Sequence, residues 1–340
     1  MISVDMPSRI LDRHVGGNTT YARKLEQGLT ERGVTVGRIK SPGGKLGTIA
    51  SETCAGLVTP RPARILHYVA DTGPLVPTRG PSVVTVHGVA SRWISTARSR
   101  RQEAVWRTRV ARAIASTSRV ITVSESSARD ISDVFNVPLD RITVIPHGIA
   151  HSEYHSRVPL PEGLSELIPE RFALYVGNLE PRKNLIELIR AFESPSLRDI
   201  KLVIAGKPAW NFSTIMEEID RSSNVVHLGF ISDAERVFLM QRCEIFVFPS
   251  LYEGFGFPVL EALAAGAPVI CSNNGSLKDV AGPAWRLRNL DSRTIADEVQ
   301  NALHDGRWMH EIKSEGPDWA EQFDWNISVE AHMRLYEDLV

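Results

Sequence analysis

Two glutamates flank a loop of glycine and phenylalanine whose residue types suit chemistry on a polar ligand. Glu253 and Glu261 lie on either side of the segment Gly254-Phe255-Gly256-Phe257. The apolar run Ile245 to Phe248 predicts a strand before this loop, and a helix is predicted after it, from Pro258 to Ala265. Ligands of open parallel sheets bind beyond the carboxyl ends of the strands. We therefore expect both acids to face one cleft, from different elements.

The two carboxylates are compatible with two kinds of sugar chemistry. A carboxylate can accept two hydrogen bonds from a vicinal diol, which indicates a neutral, hydroxyl-rich ligand. A glycosidase-type pair is the alternative, and it requires carboxyl groups about 5 to 9.5 Å apart across a sugar ring. One capping acid beside one solvated acid is the purely structural alternative. Of the three, the pattern favours binding of a diol.

Two cations precede a second predicted helix. Arg182 and Lys183 follow the strand-like run Ala173 to Val176 and come just before a helix predicted from about Asn184 to Phe192. A planar guanidinium, an ammonium and the positive end of a helix together suit a diphosphate, whereas a solvated basic turn is the alternative. The amides of the loop Gly254 to Phe257 offer a second anion site. A diphosphate site beside a sugar site describes a nucleotide-sugar.

The first half of the chain contributes two weaker candidates. Gly16-Gly17 opens a helical pattern, and a glycine pair lets backbone amides approach an anion; a tight turn into a packing helix is the alternative. His87 follows the strand-like run Ser82 to Val86, where a histidine can enter a cleft. A packed or solvated histidine is the alternative at that position.

Strands and helices alternate along both halves of the chain. This predicts an α/β protein of two Rossmann-like, doubly wound domains that face a central cleft. The predicted divisions are an acceptor-side domain at 1–155, a linker at 156–170, a donor-binding domain at 171–325 and a terminal helix at 326–340 that packs on the first domain. Residues 37–64 show no clear period and are predicted as loop with room for one short helix.

Composition excludes several classes of protein. The 340 residues carry a formal charge of −1, which gives no reason to expect nucleic acid as a partner. The three cysteines have no metal-ligand spacing, no Asp-x-Asp motif is present, and no apolar run is long enough for a membrane span. We therefore expect a cytoplasmic protein without a metal.

A basic helix is predicted in the first half. Arg92 to Arg112 contains seven arginines and one acid, Glu103, with apolar residues at helical spacing. Such a helix can lie against anionic lipid at the inner face of a membrane. A solvated face on a helix that packs in the core is the alternative.

These segments together resemble the retaining glycosyltransferases of family 4, which have the GT-B fold. Glu253-Gly-Phe-Gly-Phe-Pro-Val-Leu-Glu261 is similar to the E-x7-E element of that family. Its other blocks are matched in order by TVHG at 85–88, TVSES at 122–126, IPHGI at 145–149 and VGNLEPRKNL at 176–185. Gly16-Gly17 fits the N-terminal glycine loop, and residues 325–339 resemble the terminal helix that crosses back onto the first domain.

The resemblance assigns roles to these residues. It implies that Glu253 holds hydroxyls of the donor sugar, that Glu261 holds the ribose and that Lys183 holds the diphosphate. The loop residues between the two glutamates share in binding the donor, the glycine pair approaches the phosphates from the other domain, and His87 lies beside the transferred sugar. The family often has an arginine where this chain has Asn178, so Arg182 is expected to take part of that role.

The predicted activity is a metal-independent, retaining hexosyltransferase without a cofactor. His87, Glu253 and Lys183 are the predicted catalytic residues, and the acceptor is a hydroxyl of a glycan or of a lipid-linked sugar. GDP-mannose is weakly preferred as donor, because the EGFGFPVLEALAAG block is similar to bacterial mannosyltransferases of surface-glycan synthesis. UDP- or dTDP-linked hexoses remain open. A nucleotide-sugar epimerase of GT-B type and a non-catalytic sugar-nucleotide-binding protein are the alternatives.

Overall fold

The computed structural model describes residues 2–12, 16–94, 99–159, 161, 163–164 and 166–340. The chain forms two compact units, one of Met1–Gly148 with Phe323–Val340 and one of Ile149–Gln322. Each unit contains a six-stranded sheet in which every pair of neighbouring strands is parallel. The N-terminal segment of the first unit ends at residue 148, so the predicted domain end at 155 falls within the second unit.

The sheet of the first unit has the strand order β2-β1-β3-β4-β5-β6. Its strands are β1 Ser3–Pro7, β2 Thr35–Ile39, β3 Arg64–Tyr68, β4 Ser82–Thr85, β5 Arg119–Thr122 and β6 Ile142–Val144. Its helices are α1 Ser8–Leu11, α2 Gly17–Glu31, α3 Gly44–Leu57, α4 Arg100–Ser116, α5 Glu125–Phe135 and, from the end of the chain, α14 Trp325–Glu337. Short 3-10 helices at Ala90–Arg92 and Leu139–Arg141 complete the unit.

Two apolar layers cover the faces of this sheet. On one face, Tyr21, Leu25 and Leu29 of α2 pack with β1 and with Val329 and Tyr336 of α14. On the other face, α4 and α5 pack against β3 to β6 through buried residues that include Val110, Ile114, Ala128 and Ile131. The terminal helix is thus a component of the first core, where it contacts α2.

Two predictions for this unit were wrong in part. Residues 37–64 contain most of β2 and the fourteen-residue helix α3, where loop with room for one short helix was predicted. The edge strand β2 pairs only with β1, and α3 buries only Glu52 and Gly56, so neither element has an apolar stripe in its sequence. The basic helix begins at Arg100 instead of Arg92, because Ser99 and Gln102 form a capping box there. Residues 95–98 lie outside the described part of the chain.

Gly148 lies where the backbone of the first unit meets the start of α14. A Cβ atom at this position would overlap the backbone of Asp324 and Trp325. We expect Gly148→Ala to lower the free energy of unfolding by about 1–3 kcal/mol, because backbone atoms must shift to admit the methyl group. Gly306→Ala is the matched control, since Gly306 opens a helix and its Cβ would meet nothing within 4 Å. Equal urea midpoints for the two variants would contradict the predicted steric conflict.

The sheet of the second unit has the order β12-β11-β10-β7-β8-β9. Its strands are β7 Phe172–Val176, β8 Lys201–Ala205, β9 Val225–Gly229, β10 Ile245–Phe248, β11 Val269–Cys271 and β12 Trp285–Arg286. Its helices are α6 His151–His155, α7 Leu185–Phe192, α8 Ser213–Arg221, α9 Asp233–Arg242, α10 Phe257–Ala264, α11 Leu277–Val280, α12 Ser292–His304 and α13 Gly306–Ala320. Pro181–Lys183 and Pro195–Leu197 form 3-10 helices.

Helix α13 has no counterpart among the predicted elements. It contains Gly316 and Pro317, which weaken a helical pattern, and its contacts with α10 hold it in place. Within the described ranges, no helix combines the length and the apolar character that crossing a membrane requires.

Candidate functional site

The loop between β10 and α10 carries the first candidate residues, at the carboxyl end of a central strand. Gly256 is the N-cap of α10 with φ of 102°, a conformation that favours glycine. Its Cβ would also lie 2.6 Å from Leu277. Helix α10 runs from Phe257 to Ala264 with Pro258 in its first turn, within one residue of the prediction. Glu253 therefore lies in the loop, and Glu261 lies on the helix.

Four charged side chains join this loop to the turn that follows β7. We call Glu180, Arg182, Lys183 and Glu253 the charge cluster. Lys183 Nζ donates to Glu253 Oε1 at 2.7 Å, and Arg182 Nη1 donates to Glu253 Oε2 at 2.7 Å. Glu180 accepts from Arg182 Nε at 3.1 Å and from Arg182 Nη2 at 2.5 Å. With two acids and two bases, the cluster is neutral overall.

Burial makes the pairing in this cluster strong. Glu253 and Lys183 are each 6% exposed. Burial opposes ionisation of Glu253, but Arg182 and Lys183 outweigh it and lower the pKa of this carboxyl to about 2. Burial lowers the pKa of Lys183, and the adjacent Glu253 carboxylate limits that fall. Glu253 is consequently an anion that accepts hydrogen bonds at neutral pH and has no proton to donate as an acid.

Arg182 and Lys183 differ in how far the protein uses their hydrogen-bond donors. Arg182 donates to Glu180, to Glu253 and to the carbonyl of Tyr252, which occupies four of its five N–H groups. Lys183 has one carboxylate partner in the described structure, and its ammonium lies 4.8 Å from the centre of the Phe248 ring. Arg182 therefore braces the loop, and Lys183 keeps more of its donors for a ligand.

Three polar side chains after β11 hydrogen-bond to backbone carbonyls of the loop between β10 and α10. Ser272 Oγ donates to the carbonyl of Ser250 at 2.6 Å, and Asn274 Nδ2 donates to the carbonyl of Leu251 at 3.1 Å. Ser276 Oγ lies 3.0 Å from the carbonyl of Glu253 and 2.7 Å from that of Phe255. We call Ser272, Asn274 and Ser276 the loop brace. The prediction from sequence missed them, although polar residues at alternate positions after a strand were a visible signal.

Glu261 occupies a different environment from Glu253. It lies 3.6 Å from Arg236 Nε of α9 and accepts a hydrogen bond from the hydroxyl of Tyr154 of α6. Burial raises the pKa of Glu261, opposed by Arg236 and by Tyr154. The two glutamates have different polar partners, which favours two binding roles over one acid and base pair.

His87 follows β4 in the first unit and is fixed by the chain after β3. Its backbone N–H donates to Asp71 Oδ1 at 2.9 Å, and its ring Nε2 lies 2.9 Å from the carbonyl of Val69. A carbonyl only accepts, so Nε2 carries the hydrogen and Nδ1 carries the lone pair of the neutral ring. Burial lowers the pKa of His87, which keeps this ring neutral at pH 7. Asp71 was not among the predicted residues.

The glycine pair lies at the start of α2, also in the first unit. Gly16 is the N-cap with φ of 115°, and Gly17 is the first helical residue. The structure thus places the predicted residues in two groups. Gly16, Gly17 and His87 belong to the first unit, and Arg182, Lys183, Glu253 to Phe257 and Glu261 belong to the second.

Known sequence families match most of the chain. Residues 165–319 match the family described as glycosyl transferases group 1, and residues 59–153 match glycosyltransferase family 4. The O-antigen chain mannosyltransferase B of Escherichia coli is 31% identical over 234 residues, which is 64% of this chain and 60% of that protein. A glycogen synthase of Mycobacterium tuberculosis is 33% identical over 287 residues, 75% of this chain and 63% of that protein.

Solved structures show the same architecture over the whole length. Sucrose-phosphate synthase from Thermosynechococcus elongatus matches with a TM-score of 0.78 at 18% identity, covering 100% of this chain and 99% of that one. WaaG, a glycosyltransferase involved in lipopolysaccharide biosynthesis, matches with a TM-score of 0.73 at 16% identity and covers 100% of both chains. The chain has the GT-B fold. The predicted fold is confirmed.

The chain spans about three fifths of the O-antigen mannosyltransferase and less than a third of the serotype-specific mannosyltransferases WbdA of Escherichia coli that it also matches. Both family matches include candidate residues. The charge cluster and the loop brace lie in the group 1 region, and His87 with Asp71 lies in the family 4 region.

Ser276 offers a test of the loop brace. We expect Ser276→Ala to lower kcat/KM for the donor about 10-fold, because the carbonyls beside Glu253 lose their hydroxyl donor and the loop loosens. Ser272→Ala removes an equally buried hydroxyl that contacts Ser250 instead. Both variants should lose about 1–2 kcal/mol of stability, since each leaves a buried carbonyl without its donor. Equal activity in the two variants would assign the brace to stability alone.

Proposed function

We propose that this glycosyltransferase transfers a hexosyl unit from a nucleoside-diphosphate sugar to a hydroxyl acceptor, with retention of the anomeric configuration. The 2.7 Å pair of Lys183 and Glu253 carries the proposal. It places a cation suited to a diphosphate directly beside a carboxylate suited to sugar hydroxyls, at the carboxyl end of a central strand. The pKa of about 2 at Glu253 supports a binding role, because an acid catalyst would need to keep its proton at neutral pH.

In this proposal, the departing diphosphate is stabilised by charge that is already in place. Lys183 and the amides at the start of α10 face the negative charge that develops as the glycosidic bond breaks. Glu253 orients the hexose through its hydroxyls, and Glu261 holds the ribose. His87 offers the lone pair of Nδ1 to a hydroxyl of the transferred sugar. No metal and no cofactor is needed for these steps.

The proposed donor is GDP-mannose, and the proposed acceptor is a growing surface glycan or a lipid-linked sugar. The relatives named above include O-antigen and serotype-specific mannosyltransferases, which support mannose and a surface glycan. Anabaena HepE, whose structure is similar with a TM-score of 0.73 at 16% identity, was solved in complex with UDP-glucose. UDP-glucose is therefore the competing donor in the test.

A panel of nucleotide-sugars tests the function. Thermal stabilisation identifies the donor that binds, and slow hydrolysis of that donor, followed by NMR of the released sugar and of the acceptor product, shows whether transfer occurs and whether the anomeric configuration is retained. We expect GDP-mannose to give the largest shift in Tm. Conversion of the donor to an isomer would identify an epimerase, and stabilisation without any product would identify a binding protein.

Helix α4 supports a second part of the proposal, contact with an anionic membrane. Arg100, Arg101 and Arg112 are exposed on this helix, and Val105 of the same helix is 61% exposed. Sedimentation with vesicles of phosphatidylcholine, with and without phosphatidylglycerol, should show binding only when the anionic lipid is present. Charge reversal at Arg100 and Arg101 should abolish that binding. Equal sedimentation with both vesicle types would refute the contact.

A further inference from the structure

Five buried side chains form a continuous hydrogen-bond chain inside the first unit. We call Tyr21, His67, Thr85, His332 and Tyr336 the buried chain. Each is at most 1% exposed, and together they connect α2, β3, β4 and α14. Such a network stabilises one arrangement of its elements only if every donor finds an acceptor. The positions of the hydrogen atoms therefore decide whether the buried chain stabilises one arrangement of these four elements.

The direction of the first hydrogen bonds follows from one carbonyl. His332 Nδ1 lies 2.7 Å from the carbonyl of Ser328, so Nδ1 carries the hydrogen and Nε2 is an acceptor. Tyr21 must then donate to His332 Nε2, across 2.8 Å. Because the single hydrogen of Tyr21 is used there, its oxygen accepts from Thr85, across 3.0 Å.

The remaining bonds follow in the same way. With its hydrogen given to Tyr21, Thr85 accepts from His67 Nε2 at 2.7 Å. His67 Nδ1 is then an acceptor, and Tyr336 donates to it at 2.6 Å. One arrangement therefore satisfies all five side chains with both rings neutral. It begins and ends on α14, at Tyr336 and at His332.

Tyr21 connects this network to His87, the residue of the first unit that the proposed function uses. Its ring lies edge-on to His87, with centroids 5.1 Å apart and an angle of 79° between the planes. It also lies 4.7 Å from the ring of His147. Tyr21 is one helical turn after Gly17, and Thr85 is two residues before His87 on β4. A single phenol thus links the start of α2 to the end of β4.

We propose that Tyr21 is a positioning residue for His87, with its ring held at the hydroxyl by Thr85 and by His332 of the terminal helix. The inference rests on the proposed function, because it assumes that His87 lies beside the transferred sugar. The lone pair of His87 at Nδ1 is useful only when the ring keeps its orientation. The carbonyl of Val69 fixes that orientation through its bond with Nε2, and the ring of Tyr21 packs against the imidazole.

Tyr21→Phe and Tyr336→Phe form a matched pair for the test. Both remove one buried hydroxyl that donates to a histidine, and Tyr21→Phe also leaves the Thr85 hydroxyl without its acceptor. Both should lower stability, Tyr21→Phe by more. Of these two tyrosines, Tyr21 is the one whose ring contacts His87. We expect Tyr21→Phe to lower kcat about 10-fold, with KM for the donor changed less than 2-fold and the acid limb of the kcat profile shifted. Tyr336→Phe should keep kcat within about 2-fold of the unsubstituted enzyme.

NMR separates this inference from the proposed function. The His87 Cε1–H resonance, assigned by its loss in His87→Gln, should move in Tyr21→Phe and stay in place in Tyr336→Phe. If no donor supports transfer, the proposed function fails, and a His87 resonance that moves only in Tyr21→Phe still establishes the positioning contact. An unchanged His87 resonance in Tyr21→Phe, or equal changes of that resonance and of kcat in both variants, would overturn the inference.

Discussion

Glu253→Gln is expected to lower the free energy of unfolding by about 3–5 kcal/mol and to lower kcat/KM by about 10²–10³-fold. The substitution removes the only carboxylate that Lys183 contacts among the described residues and leaves its ammonium buried without a counter-charge. It also removes the acceptor proposed for the sugar hydroxyls. Lys183→Ala should cost less stability, because Glu253 keeps Arg182 as a partner.

The double variant Lys183→Met with Glu253→Gln separates stability from catalysis. Removing both charges leaves no stranded ion, so stability should recover in part while transfer stays at the level of the single variants. Glu180→Gln is the control, since it alters the charge cluster without touching the pair of Lys183 and Glu253. Urea unfolding and donor kinetics measure both effects. Wild-type turnover in Glu253→Gln would remove Glu253 from the site.

Acidification is expected to destabilise the first unit before the second. Burial lowers the pKa of His332 to about 4, from an ordinary value of 6.5. A histidine whose pKa is lowered by folding contributes its full stability above pH 6.5 and loses it as the pH falls to 4, which amounts to about 3 kcal/mol. Burial also lowers the pKa of the neighbouring His67, His87 and His147, so these rings act in the same direction.

The second unit has a different acid window. Because the pKa of Glu253 is lowered to about 2, its contribution is complete above about pH 4.5 and is lost as the pH falls through 2. When the pH is lowered from 7 to 4.5, hydrogen exchange should therefore show a larger increase in opening for peptides from β4 and α14 than for peptides from β10. His332→Gln should reduce this dependence, and His310→Gln, at an exposed position on α13, should leave it unchanged. Equal acid dependence in both units would contradict the assignment.

The sequence predicted the strands, helices and candidate residues of the second unit, and the fold determined which of these residues meet. Glu253 and Lys183 were both predicted to act on the donor, at separate groups. Their direct contact arises because β10 pairs with β7, so chain segments about seventy residues apart meet at one edge of the sheet. The order of strands in a sheet depends on packing between distant segments, which periodicity along the chain does not report.

The sequence pattern did not reveal the buried chain of the first unit, for a related reason. Tyr21 lies on the buried side of α2, as the helical pattern after Gly16-Gly17 would place it. Its hydroxyl bonds to His332, which is 311 residues away in sequence. Periodic patterns identify which side of a helix is buried, but they do not reveal which distant polar group accepts its hydrogen bond.

The place of α14 has a consequence for synthesis on the ribosome. The second unit is one uninterrupted segment, and it can complete its core as soon as residue 322 has emerged. The first unit is begun earlier but finished later, since Val329, Leu335 and Tyr336 of its core are translated after the second unit. Domains generally fold as units during synthesis. In this chain, the half that is made first must therefore wait for the half that is made second.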